Sequence, residues 1–148
     1  MTYFKDLSPY SYYGNEESLN IGWLSAIEGF DIGDTTIEFR EKLFRFCLDE
    51  NIVKTMRGFH ECELCGFSFD EWSRDHPAYG DNANWMSIGN GEIRIIGKGV
   101  IYAVPALIYH YVVVHHYMPP QEFIDAVLTG PQPGSLEYNT LLQKYKRR

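Results

Sequence analysis

Glu92-Ile93-Arg94-Ile95-Ile96, Gly97-Lys98-Gly99 and Val100-Ile101-Tyr102-Ala103-Val104 form the stretch on which the fold turns. Side chains along a strand point alternately to its two faces, and the first run alternates in that way. A glycine-rich turn between two β-branched runs is the signature of a β-hairpin. Pro105 then suits the first turn of a helix, where its missing N–H costs nothing. That helix should span 105–117 and stop before Pro119-Pro120. A second should run over 120–129 and end at Gly130, with Gly130-Pro131-Gln132-Pro133-Gly134 as a break. Ser135 can cap a last short helix with Tyr138, Leu141, Leu142 and Tyr145 on one side.

Upstream of the hairpin, Phe39, Leu43, Phe46 and Cys47 recur at helical spacing and predict a helix over 36–49, with Asp34 or Thr35 as its N-cap. Cys47 on the apolar face reads as a small buried hydrophobe. Residues 1–20 read as an irregular arm, Asn20 to Ser25 as a short strand, Ile52 to Arg57 as extended chain, and 66–90 as a long polar loop. The expectation is one α+β domain over 1–148, with a small antiparallel sheet, three or four helices, and a C-terminal extension from 130.

Composition narrows the class. With 45% hydrophobic and 22% charged residues, the 148-residue chain is that of a folded globular protein. The longest apolar run, Val100 to Val114, is broken by Pro105 and His110 and is shorter than the ~20 residues a membrane span needs. The first residues lack a basic region followed by an apolar stretch, and three cysteines make no disulfide framework. A cytoplasmic protein with no membrane contact is expected. Up to Glu92 there are 17 acidic and 7 basic residues, and beyond it 3 acidic and 6 basic. An acidic body argues against nucleic acid, whose phosphates need lysine and arginine, and suits a basic protein partner.

The chemistry-bearing stretch is Gly58-Phe59-His60-Glu61-Cys62-Glu63-Leu64-Cys65. Two cysteines in a C-x-x-C form a knuckle whose sulfurs can face one cation, and His60 on an extended strand points to the same side as Cys62. A fourth ligand must come from elsewhere, with His76, His110, His115, His116 and Cys47 as candidates. His110 is flanked at helical spacing by Ala106, Leu107, Val113 and Val114 and should face inward. On a regular helix, His110 and His115 project about 140° apart, which argues against one ion taking both. The expected set is therefore His60, Cys62, Cys65 and His110 around a structural zinc, with His115 as second choice for the fourth place. A redox pair is disfavoured by Glu61 and Glu63, whose charge opposes a thiolate. Asp70, Glu71, Asp75 and His76 read as solvated loop charges, and the Tyr10-Ser11-Tyr12-Tyr13 run as either a covering arm or a recognition surface.

The blocks Thr2-Tyr3-Phe4-Lys5-Asp6-Leu7-Ser8-Pro9-Tyr10, Leu19-Asn20-Ile21-Gly22-Trp23-Leu24, Arg57 to Cys65 and Tyr102-Ala103-Val104-Pro105-Ala106-Leu107-Ile108-Tyr109-His110-Tyr111 together resemble an uncharacterised family of small bacterial proteins. The resemblance covers nearly the whole chain and implies histidines at the positions of His60, His110 and His115, but not His116. It implies no activity.

No nucleotide-binding, serine-nucleophile or zinc-protease motif is present, so no catalytic residue is assigned. A closed zinc site holds a fold together and offers little chemistry. The reading is a small zinc-containing binding protein, of the kind that neutralises a cognate basic bacterial toxin (an immunity protein). The alternative is a zinc-dependent hydrolase, in which His60 turns away and Glu61 or Glu63 serves as base.

Overall fold

The computed structural model describes residues 3–10, 18–55, 62–65 and 91–146. The hairpin forms as expected. Strand β4 (Gly91–Ile96) pairs antiparallel with β5 (Ile101–Pro105), Ile93 opposite Val104 and Ile95 opposite Tyr102. The Gly97 N–H donates to the Val100 carbonyl (2.8 Å) to close the turn, and Gly99 takes φ +67° there, a value only glycine adopts freely. Ile93, Ile95, Tyr102 and Val104 alternate onto one fully buried face.

Two short strands from the predicted arm extend this sheet: β1 (Pro9–Tyr10) and β2 (Ser18–Asn20). With β3 (Lys54–Thr55) the order becomes β1-β2-β5-β4-β3. Three pairings are antiparallel, but β2 runs parallel to β5, so the sheet is mixed. The strand expected at 20–25 thus lies earlier. Ile21 to Ser25 continue as buried chain, with the Ile21 N–H and the Trp23 indole N–H both donating to the Ala103 carbonyl (3.1 and 3.0 Å).

Among the described residues, four helices cover the apolar face and its ends. Helix α1 (Ile37–Phe46) starts at Thr36, whose Oγ1 accepts from the Phe39 N–H (3.1 Å). The cap is neither Asp34 nor Thr35, because the Thr35 hydroxyl and carbonyl are taken by the Arg40 guanidinium. The helix stops three residues early. Asn51 Nδ2 donates to the Arg45 carbonyl (2.8 Å), and Asp49–Asn51 close as a 3₁₀ turn. Thr36→Ala should lower stability by about 1 kcal/mol, seen as a shifted urea midpoint at constant slope.

Helix α2 (Ile108–His115) is shorter than the predicted 105–117 because Pro105 belongs to β5 and His116 takes a left-handed φ of +58°. Helix α3 (Gln121–Thr129) ends at Gly130, where a Cβ would collide with the Ile96 carbonyl oxygen. Helix α4 (Leu136–Lys146) is capped as expected by Ser135, which accepts from the Tyr138 N–H (3.2 Å). The core lies between sheet and helices. Phe39 and Tyr102 pack edge-on to Phe123 of α3, and Phe46 packs edge-on to Tyr138 of α4. Cys47 is buried among them, and that burial pushes its thiol up to about 12. Among the described residues, no helix is long and apolar enough to cross a membrane.

Candidate metal centre

The turn Cys62–Cys65 and helix α2 meet at one point. Cys62 is fully buried and Cys65 exposed, and the Cys65 N–H turns back toward the Cys62 carbonyl (3.4 Å), the tight loop expected of a C-x-x-C knuckle. Cys62 Sγ lies 3.4 Å from His115 Nε2, and Cys65 Sγ lies 3.4 Å from His110 Nε2. All four donor atoms fall within 4.8 Å of one another. A tetrahedral zinc with Zn–S of about 2.3 Å and Zn–N of about 2.05 Å sets each S···N edge at about 3.6 Å. Both observed edges come close to that value, so Cys62, Cys65, His110 and His115 could hold a metal ion such as zinc.

The electrostatics agree. Burial lowers the pKa of His115, favouring the neutral imidazole that a metal requires, and the neighbouring His116 adds to this. Burial pushes the Cys62 thiol up to about 12, so without a cation it keeps its proton, and a metal must displace it. Tyr111, buried beside the knuckle, is raised in turn by burial and then by Cys62, Glu63 and Cys65.

Of the expected set, Cys62, Cys65 and His110 converge, while His60 lies outside the described residues. The second choice, His115, stands beside His110 with ring centroids 5.0 Å apart. The expectation that one ion could not take both histidines assumed a regular helix, and the end of α2 is not regular. The N–H groups of His116 and Tyr117 both donate to the Tyr111 carbonyl, so the last turn closes over five and six residues. A widened, π-type turn brings residues five apart toward one face. Side chains also lean toward the helix N-terminus, so His115 reaches back over the turn that carries His110. Of the other candidates, Cys47 and His116 stay out of the cluster, and His76 lies outside the described residues, as do Glu61, the Asp70, Glu71 and Asp75 group and the run Ser11 to Tyr13.

Sequence reading gives Glu63 a charge that opposes a thiolate and, in the hydrolase alternative, the role of a base, but no structural tie. Its Oε2 accepts from the Ala26 N–H (3.3 Å), tying the knuckle to the chain after β2. On the other side, the residues following His115 pair with the same segment. The Gly33 N–H donates to the His116 carbonyl and the Met118 N–H to the Asp31 carbonyl, each at 2.9 Å, and Ile32 and Tyr117 form an antiparallel bridge.

A family model described as a domain of unknown function (DUF7919) matches residues 2–128, which includes all four donors and leaves α4 outside. No curated protein and no solved structure matches the chain.

Proposed function

The chain belongs to this family of unknown function, and we propose from the site's own chemistry that it is a small zinc-pinned binding protein whose metal is structural. The observation that carries the reading is the closed donor set: two thiolates and two imidazoles fill a tetrahedron and leave no position for water. Two thiolates also neutralise the ion and blunt it as a Lewis acid. The zinc then serves as a cross-link between the knuckle and α2.

A protein held together in this way acts through its surface. With a formal net charge of −7, that surface suits a basic protein, and neutralising a cognate toxin as a cytoplasmic immunity protein of bacterial origin is the role that fits size, charge and site best. The cysteines among the described residues are all free, as a reducing compartment requires.

Two measurements test the reading. Elemental mass spectrometry should find about one zinc per chain, with metal lost or loosened in His110→Ala and in His115→Ala. Cobalt-substituted protein should give a tetrahedral absorption spectrum that added cyanide or azide leaves unchanged. Freshly purified protein without metal would overturn the site. A spectrum that shifts with anion would reveal an open coordination position and move the case to the hydrolase.

A further inference from the structure

The chain between β2 and α1 carries an unusual surface. Among the described residues five large apolar side chains are exposed, and three of them lie here: Ile27 at 91%, Ile32 at 71% and Ile37 at 66%. Exposed carboxylates alternate with them at Glu28, Asp31, Asp34 and Glu38. From Asp6 to Phe39 the sequence holds seven acidic residues and no lysine or arginine. Single exposed apolar residues are ordinary, but three within eleven positions, set among charges of one sign, are the composition of a docking surface.

We propose that residues 26–38 form the docking surface for a basic protein partner, with the three isoleucines as anchors and the four carboxylates as a steering rim, and that the metal centre holds this surface in shape. This rests on the zinc-pinned binding-protein reading above and names the partner's chemistry.

The charge selects the occupant. A second copy would bring four carboxylates against four, and an anionic membrane or nucleic acid would meet the same repulsion; a cationic protein surface gains from it in encounter rate. A groove of about 360 Å³ beside the segment, lined by Asp34, Thr35, Arg40, Val112, Val113 and His116, gives an incoming apolar side chain somewhere to seat, since Arg40 on its wall turns a cationic group toward the carboxylate rim instead.

The link to the metal is covalent adjacency. The segment is fastened at Ala26 to Glu63, which follows donor Cys62, and at Asp31 to Gly33 to residues 116–118, which follow donor His115. Between these two fastenings Ile27 and Glu28 have no regular structure of their own to hold them. Removing the ion frees the knuckle and with it the Ala26 anchor, while buried Tyr117 keeps the second fastening in place.

The experiment pans a phage-displayed random-peptide library on the zinc-loaded full chain. Recovered peptides should be rich in lysine and arginine with one or more apolar residues. Their binding should fall by about tenfold or more in an Ile27→Ser, Ile32→Ser, Ile37→Ser triple variant, and in a Glu28→Gln, Asp31→Asn, Asp34→Asn, Glu38→Gln variant. All seven side chains are exposed, so both variants should fold and keep their zinc. Zinc-stripped protein should bind the same peptides several-fold more weakly, and hydrogen exchange at Ala26 should speed up on stripping while Gly33 and Met118 stay protected. Peptides without basic character, binding untouched by both variants, self-association through the patch, or an absence of any patch-dependent binder would each overturn the proposal. Zinc content is measured on every sample. A chain that holds no metal fails the earlier reading, whereas a loaded chain without patch-dependent binding fails only this one.

Discussion

Stripping the metal with a chelator should destabilise the protein by as much as the costliest single substitutions in its core. A ligand that binds only the folded chain stabilises by an amount set by its excess over Kd, about 4 kcal/mol when free zinc is a thousandfold above it. For a chain of this length, that is a fall in Tm of about 8–16 °C. The size of the effect follows from what the site joins. Cys62 and Cys65 sit on a short loop, whereas His110 and His115 sit on α2, whose residues Ile108 to Val112 are all buried in the core. Losing the ion therefore releases the loop and leaves two imidazoles and a buried thiol facing one another with no cation between them. Cys62→Ser should reproduce most of the loss, and zinc readdition should restore the wild type but not the variant. Because each thiol must give up its proton to bind, the difference between loaded and stripped protein should narrow as pH falls. Calorimetry with and without chelator decides the matter, and a change of less than about 2 °C would mean that no structural metal is present.

The parts of this architecture that sequence reading captured share one property: the local pattern and the tertiary environment ask for the same thing. The hairpin is legible because Ile93, Ile95, Tyr102 and Val104 alternate and the glycines between them permit the turn. Helix α3 is legible because Pro120 and Gly130 bracket it. Misreadings arose where two partners compete for one group. Pro105 is as acceptable at a helix start as at a strand end. It ends a strand because β2 stops at Asn20, opposite Ala103, so the flank on which Pro105 would have donated has no ladder to complete. Thr35 and Thr36 are equally good caps by composition, and the Arg40 guanidinium settles which is free to serve. The strands of the N-terminal arm, two and three residues long, carry no periodicity of their own and exist only because β5 offers a backbone edge.

The same reasoning applies to the site. The knuckle was readable because its two cysteines are close in sequence and their chemistry is specific. The histidine pair was not, because the widened last turn of α2 is set by His116 adopting a left-handed conformation, a choice no periodicity records. Nor could spacing reveal that Glu63 and the 116–118 segment both grip residues 26–33. That arrangement links the candidate metal centre to the acidic surface, and it emerges only once distant segments are placed side by side.

The second large effect is expected at the opposite face of the sheet. Glu92 and Arg94, two apart on β4, share a face that is buried despite its charge, at 7% and 0% exposure. Arg94 Nη1 donates to Glu92 Oε1 at 2.9 Å. The Tyr10 hydroxyl, arriving from β1, donates to the same carboxylate at 2.9 and 3.2 Å, and its ring lies 4.8 Å from the guanidinium carbon. Burial and then the charge of Glu92 hold the Tyr10 phenol well above its ordinary pKa, so it remains a donor. The cluster spans the sheet from β1 to β4, and the Arg94 carbonyl also accepts from the Tyr138 hydroxyl of α4 (2.9 Å). Removing one member of a buried pair strands the other charge, at a cost of about 3–5 kcal/mol, whereas removing both can be nearly neutral. Arg94→Met should therefore lose about 3–5 kcal/mol in urea denaturation, and Arg94→Met with Glu92→Gln should recover much of it. Tyr10→Phe, which takes away one donor from a carboxylate that keeps its arginine, should cost less, about 1–3 kcal/mol. The zinc content of all three variants should stay at the wild-type value, since none touches the knuckle or α2. An Arg94→Met protein within about 1 kcal/mol of wild type would show that the pair is not buried as described, and a double variant no better than the single would show that packing, not charge, carries the cost.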